Sequence, residues 1–365
     1  MKLECSVEKI KNAIVNAARV TSKNLTLPAL QSILLVASGK SLKIRATNLN
    51  LGIEIEIPAK IEKEGVALIK ADVIGNFFSS INPKEQTTLS LENDNLLITT
   101  KNSKTIVKNY PHDDFPTIPR VSGEVISIPS KKFIEGFKNV YYAASISEGK
   151  PEIASIYIYP EDDMFVFVAT DSFRLAEKKV KIKTQSPIPT IIIPIKNATE
   201  ILRVFDGEDE EMRIEMTKNQ IAFSLGSTYI TSRLIDGTFP DYKQIMPKTQ
   251  TTDVVVLKQD LLGVLKTSNI FSDKFNQITL VVKPKEKLLA FKAKNTDVGE
   301  STSTLAGALS GENIEVSLNY KYLLDCLQVI PQDSISIGFS GNNKAIIIRG
   351  VSDNSFTYLV MPMNR

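Results

Sequence analysis

The sequence predicts an α+β fold built from three tandem copies of one domain, each with two helices packed on antiparallel strands. Three observations carry this. Phe115-Pro116-Thr117-Ile118-Pro119 is echoed by Phe239-Pro240-Asp241-Tyr242 at an offset of 124 residues (239 − 115). Ala46-Thr47-Asn48 returns as Ala169-Thr170-Asp171 after 123 residues (169 − 46), and more weakly as Ala293-Lys294-Asn295 after another 124 (293 − 169). Within each period a strand, a helix, further strands, a second helix and a hairpin follow in the same order. A period this long implies repeated domains, because solenoid units run to about 20–50 residues. The copies are placed at residues 1–122, 123–248 and 249–365.

Each copy opens with a short strand and an amphipathic helix. In the first, residues 7–20 set Ile10, Ile14 and Ala17 on one side, with Lys9, Asn12, Asn16 and Arg19 on the other. The second helix starts at Ser130, a candidate N-cap, with Ile134, Phe137 and Tyr141 facing in and Lys131, Lys138 and Tyr142 facing out. In the third, Leu261, Leu262 and Leu265 face in while Gln259 and Lys266 face out. Strands at 32–37, 42–47 and 53–58 read as a meander, matched by 155–159, 164–170 and 174–181, then by 278–282, 288–294 and 300–304. Second helices are expected at 72–81, 196–205 and 319–330, and hairpins such as 87–91 with 96–100 close the copies.

Composition narrows the function. The chain has 365 residues, 42% hydrophobic and 23% charged, as in a soluble globular protein of two or three domains. One His, no Trp and two cysteines leave little for catalysis. Cys5 and Cys326 lack the paired spacing of a zinc site and suit a reducing cytoplasm as structural thiols. Met1-Lys2-Leu3-Glu4 lacks the apolar run of a signal peptide, and no stretch reaches the roughly 18 apolar residues of a membrane span. There is no glycine-rich nucleotide loop, no H-E-x-x-H and no nucleophile elbow. His112 and the acidic runs Glu161-Asp162-Asp163 and Glu208-Asp209-Glu210-Glu211 read as solvated loops. No enzyme activity, metal or cofactor is expected.

Two features point to binding instead. Lys9, Arg19, Lys131, Lys138, Lys196, Arg203, Lys266 and Lys321 fall on matching faces of the repeated helices, which suits a phosphate backbone contacted without reading bases. The middle copy then departs from the repeat: Thr170-Asp171-Ser172-Phe173-Arg174-Leu175 stands where the first copy has Thr47-Asn48-Leu49-Asn50-Leu51-Gly52. With Tyr242-Lys243-Gln244-Ile245-Met246-Pro247 and the final Leu359-Val360-Met361-Pro362-Met363, it suggests an apolar, Met-rich groove for a partner peptide.

Thr26-Leu27-Pro28, Ala169 to Ala176, Leu234 to Tyr242 and Tyr358 to Met363 together resemble the bacterial DNA polymerase III beta subunit family, the replication sliding clamps, over the full length. The resemblance implies a DNA clamp fold and a head-to-tail homodimer whose six domains form a ring around double-stranded DNA, with the helices lining the hole. It implies a non-catalytic processivity factor. Its partners would be the replicative DNA polymerase alpha subunit, the clamp loader and other proteins carrying clamp-binding motifs, received in a groove between the second and third domains. Carried over by motif, that groove would use Ile153, Thr170, Phe173, Arg174, Leu175, Pro240, Ile245, Leu359, Val360, Met361, Pro362 and Met363. Lys23 would join the DNA-facing residues, and Ile270 and Phe271 would pack near the partner's Ile106 at the dimer interface. The tail departs from the family, since Asn364 separates Met363 from Arg365.

Overall fold

The computed structural model describes residues 1–22, 27–147, 149–182 and 189–363. Lys23 and Thr26, and Asn364 and Arg365 at the tail, lie outside the described residues. The helices are α1 (Val7–Val20), α2 (Ala71–Ser80), α3 (Ser130–Val140), α4 (Ile195–Phe205), α5 (Lys258–Ile270) and α6 (Tyr320–Val329). Two compact units form. The first is built from residues 1–131 and 199–234, the second from the described residues of 132–183, 187–198 and 235–365.

In the first unit an eight-stranded antiparallel sheet runs in the order Glu124–Pro129, Glu211–Met216, Gln220–Leu225, Thr228–Arg233, Leu51–Pro58, Ser41–Thr47, Ser32–Ser38, Gly65–Lys70. A second sheet runs Lys60–Lys63, Lys2–Ser6, Gln86–Glu92, Asn95–Thr99, Lys104–Lys108. The apolar stripe of α1 is sealed: Val7, Ile10, Ala13, Ile14, Ala17 and Val20 are all buried, and the helix packs on α2 and on Leu51–Pro58. Each of the Val and Ile side chains contributes about 1.5–3 kcal/mol when fully buried.

The second unit holds a nine-stranded sheet in the order Ile191–Pro194, Ser155–Glu161, Met164–Thr170, Arg174–Lys181, Phe356–Val360, Ile346–Gly350, Ser334–Phe339, Thr252–Leu257, Ala308–Gly311. Its second sheet runs Gly299–Thr304, Leu288–Asn295, Gln277–Lys283, Ile314–Asn319. Both long sheets draw strands from two sequence copies. They are joined where Ile53 faces Ile230 in one unit and where Ala176 faces Tyr358 in the other. Ile53 and Ala176 are equivalent, since each also faces the alanine of its own Ala-Thr-Asx motif, Ala46 and Ala169. Lys104–Lys108 and Gly299–Thr304, the corresponding strands toward the two chain ends, each lie at a sheet edge.

Two local expectations change. Tyr141 is exposed and Tyr142 half-buried, the reverse of the helical reading. Helix α3 ends at Val140 and a 3-10 turn, Tyr141–Ala143, follows, so the 3.6-residue spacing no longer applies. The Ser130 hydroxyl donates to the Glu208 carbonyl (3.0 Å) and accepts from the Glu210 N–H (3.2 Å), tying down the acidic loop. Helix α2, on which no basic residue was expected, turns out Asp72, Val73 and Asn76.

Two helical glycines have opposite roles. A Cβ on Gly136 of α3 would run into the Phe167 ring, which sits in an edge-to-face cluster with Phe133 and Phe137. Gly263 of α5 is exposed, with nothing within 4 Å of a Cβ. Gly136→Ala is therefore expected to destabilise by about 1–3 kcal/mol, and Gly263→Ala to stabilise by about 0.5–1 kcal/mol. Thermal melts of the two variants check this, and a shift of the same sign for both would contradict it.

Candidate functional site

The Ala-Thr-Asx echo is a turn, made the same way twice. In the second copy the Thr170 hydroxyl donates to the Arg174 carbonyl (2.7 Å) and accepts the Ser172 N–H (3.1 Å). One oxygen of Asp171 accepts the N–H groups of Phe173 and Arg174, both at 2.9 Å. In the first copy Thr47 bonds the Leu51 carbonyl (3.0 Å) and the Leu49 N–H (3.1 Å), while Asn48 accepts from Asn50 (3.0 Å) and Leu51 (2.8 Å). Ser172 and Leu49 both take the left-handed conformation, with φ of 78° and 74°. The third copy keeps only the Asx part, Asn295 accepting from the Asp297 N–H at 2.9 Å. Such short side-chain bonds to nearby backbone explain why Thr and Asx recur.

In the second unit this turn leads into the strand Arg174–Lys181, whose Leu175 belongs to the candidate apolar surface. Leu175 and Leu359 face one another across the joined strands. They share a buried cluster with Val166, Val168, Ile192, Phe239, Tyr242, Ala345 and Ile347, with Met246 and Met361 partly buried at its margin. Phe239 stacks on Tyr157, their centroids 4.7 Å apart and the planes 3° from parallel. Tyr242 donates to the buried Glu177 and lies 2.8 Å from the Tyr159 hydroxyl. Burial first, then the bond to Glu177, holds its phenol well above the usual range. Lys179 and Lys243 both bond Glu161, and these two bonds hold that carboxyl below its ordinary value. Of the neighbouring candidates, Phe173 (62%), Ile245 (53%) and Pro240 are exposed, and Met361, Pro362 and Met363 are half-buried. The Met361 N–H donates to the Phe173 carbonyl and the Met363 N–H to the Ser317 carbonyl, both at 2.8 Å. A cavity of about 520 Å³ opens beside Pro362 and Met363, lined also by Ser317, Asn342 and Asn343.

Strand alternation moves two candidate residues off this surface. Val360 pairs with Arg174, so both point to the opposite face from Leu175 and Leu359. Val360 is fully buried on that opposite face. Arg174 is only 12% exposed. It bonds Asp171, Asp325 and the Tyr142 carbonyl and lies 4.5 Å from the Tyr322 ring centroid. Ile153 is buried; its carbonyl and that of Thr170 share the Ser145 N–H at 3.0 and 3.1 Å.

Three family models match the chain in order. They describe the DNA polymerase III beta subunit: the N-terminal domain at residues 1–119, the central domain at 127–241 and the C-terminal domain at 243–364. The chain belongs to the DNA polymerase III beta subunit family. The beta sliding clamp of Treponema pallidum is 28% identical, over 100% of this chain and 99% of that protein. The crystal structure of the DNA polymerase III beta subunit from Thermotoga maritima has a TM-score of 0.94 at 23% identity, covering 100% of this chain and 99% of that one. A sliding clamp from Pseudomonas aeruginosa, solved bound to griselimycin, has a TM-score of 0.92 at 25% identity with full coverage of both chains. The family is that of the non-catalytic processivity subunit of DNA polymerase III, and the chain is accordingly a DNA replication processivity factor with three tandem clamp domains.

Against that family background the remaining candidates are placed as follows. In the first unit Lys9, Arg19, Lys131 and Arg203 are exposed, with Lys131 3.5 Å from Asp209 and Arg203 2.6 Å from Glu200. In the second, Lys138, Lys196, Lys266 and Lys321 are exposed. Ile106 and Ile270 are 70% and 66% exposed, and a Cβ on Gly299 would stand 3.8 Å from the half-buried Phe271 ring. Sequence reasoning missed Asp171, Asp325, Tyr142 and Tyr322 as partners of Arg174, and Glu177 as the acceptor for Tyr242. Only Asp171, inside the repeated motif, carried a signal. Among the described residues no cluster of metal-ligating side chains occurs, and no helix is long and apolar enough to cross a membrane.

Proposed function

We propose that this chain works as a head-to-tail homodimer, its three copies (1–122, 123–248 and 249–365) supplying half of a six-domain ring around double-stranded DNA in the cytoplasm. The exposed basic residues on the helices would meet the phosphates, and the surface over Leu175 and Leu359 would hold short peptides of the replicative polymerase alpha subunit, the clamp loader and other partners. The griselimycin-bound relative supports a ligand-accepting surface in the family.

The observation that carries the dimer is the repeated sheet joint. Ser301 is the third-copy equivalent of Ile53 and Ala176, because it faces Ala293 as they face Ala46 and Ala169. Ile106 lies 124 residues before Ile230 (230 − 106), the offset of Phe115 from Phe239. The first joint sets Ile53 opposite Ile230, so Ser301 should face the partner's Ile106. An unpaired strand edge is a template for pairing with another chain.

Cysteine trapping tests this register. Oxidising an Ile106→Cys, Ser301→Cys double variant should give covalent dimers, since bridged Cα atoms lie within about 7 Å. The native thiols should stay silent, because Cys5 and Cys326 are buried and burial pushes the Cys5 thiol up to about 12. A higher yield from Ile106→Cys with Ser303→Cys would sink the register. No bridge from either pair would sink the dimer.

A further inference from the structure

We infer that Arg174 is a positioning residue of the groove: it holds Phe173 at the rim and does not meet the peptide itself. The inference rests on the peptide-groove reading above and sharpens it. Arg174 follows Phe173 directly, but its side chain lies on the face away from Leu175 and is only 12% exposed. Its guanidinium is engaged on every side. Nε donates to Asp171 at 3.0 Å, one terminal nitrogen donates to Asp325 of α6, and the other donates to the Tyr142 carbonyl at 2.7 Å. Tyr322 of α6 stacks 4.5 Å from it. A planar fork of fixed geometry thus locks the turn, the Tyr141–Ala143 segment and α6 together.

Phe173 depends on that lock. Its side chain is mostly solvent-exposed, so packing does not fix it. Its N–H is held by Oδ1 of Asp171, the carboxylate whose Oδ2 Arg174 grips, and its carbonyl is held by the Met361 N–H. The first copy provides the internal control. There the same turn forms around Asn48 with Leu51 in place of Arg174, so no guanidinium is needed to make it. What Arg174 adds is orientation of the turn against α6. A rim segment whose backbone is already held loses less freedom when a peptide docks.

The test is a double-mutant cycle in the full-length protein. The probe is a fluorescein-labelled decapeptide containing a Leu-Phe pair, followed by fluorescence anisotropy, with a thermal melt of every variant. Arg174→Gln and Phe173→Ala should each weaken binding about tenfold, and the double variant should be within about twofold of Phe173→Ala alone. Arg174→Lys should behave like Arg174→Gln, because an ammonium cannot reach all three acceptors, and it carries the comparison if the Gln variant does not fold. Multiplying losses would mean that Arg174 touches the peptide and would overturn the inference, as would full binding by Arg174→Lys. Failure of the unmodified protein to bind any such peptide would instead remove the groove reading itself.

Discussion

A ring loaded on nicked circular DNA is expected to stay there through a high-salt wash and to be lost once the DNA is linearised. The charges argue for topology over affinity. Net charge is only +3, and helix α2 turns no lysine or arginine outward. Asp209 and Glu200 already draw on Lys131 and Arg203. The exposed basic residues of the helices give a few exchangeable phosphate contacts, each worth roughly 0.9 of a unit of salt slope. Neutralising Lys9, Lys138 and Lys266 together should therefore lower the slope for short duplexes by up to about three units while leaving retention on circles intact. Gel filtration of loaded complexes before and after restriction cutting reads the result. Equal retention on freely ended linear DNA would rule out encirclement.

Ile270→Asp combined with Phe271→Asp should convert the dimer to monomers. Ile270 is exposed and Phe271 lies against the Gly299 end of the edge strand, so in the proposed joint both would be covered by the partner near its Ile106. Two carboxylates placed in an apolar interface lose their hydration without gaining a counter-ion, and hot-spot losses of about 4 kcal/mol or more, near a thousandfold in Kd, are ordinary for such sites. Neither residue belongs to the buried core of its unit, so the melting temperature of the monomer should change little. Sedimentation equilibrium decides, and an unchanged dimer mass would place the interface elsewhere. The same variant should not be retained on circular DNA.

The repeat, its period, the six helices and the three meanders were legible in the sequence. Periodic burial writes itself into residue spacing: Ile10, Ile14 and Ala17 are apolar because that face of α1 is sealed. The Thr170–Arg174 turn was visible too, since its bonds lie between residues two to four apart in the chain. Pairings between distant segments left no such trace. Nothing local says that Arg174–Lys181 pairs with Phe356–Val360, yet that register alone puts Leu359 on the face of Leu175 and Val360 on the opposite one. It also turns Arg174 away from the surface and toward Asp325, 151 residues away (325 − 174). The sequence by itself therefore determined the architecture of each copy and the residues near the site. Tertiary structure decided which side of the sheet each of them serves, because a strand alternates its side chains and only its neighbours settle which face is covered.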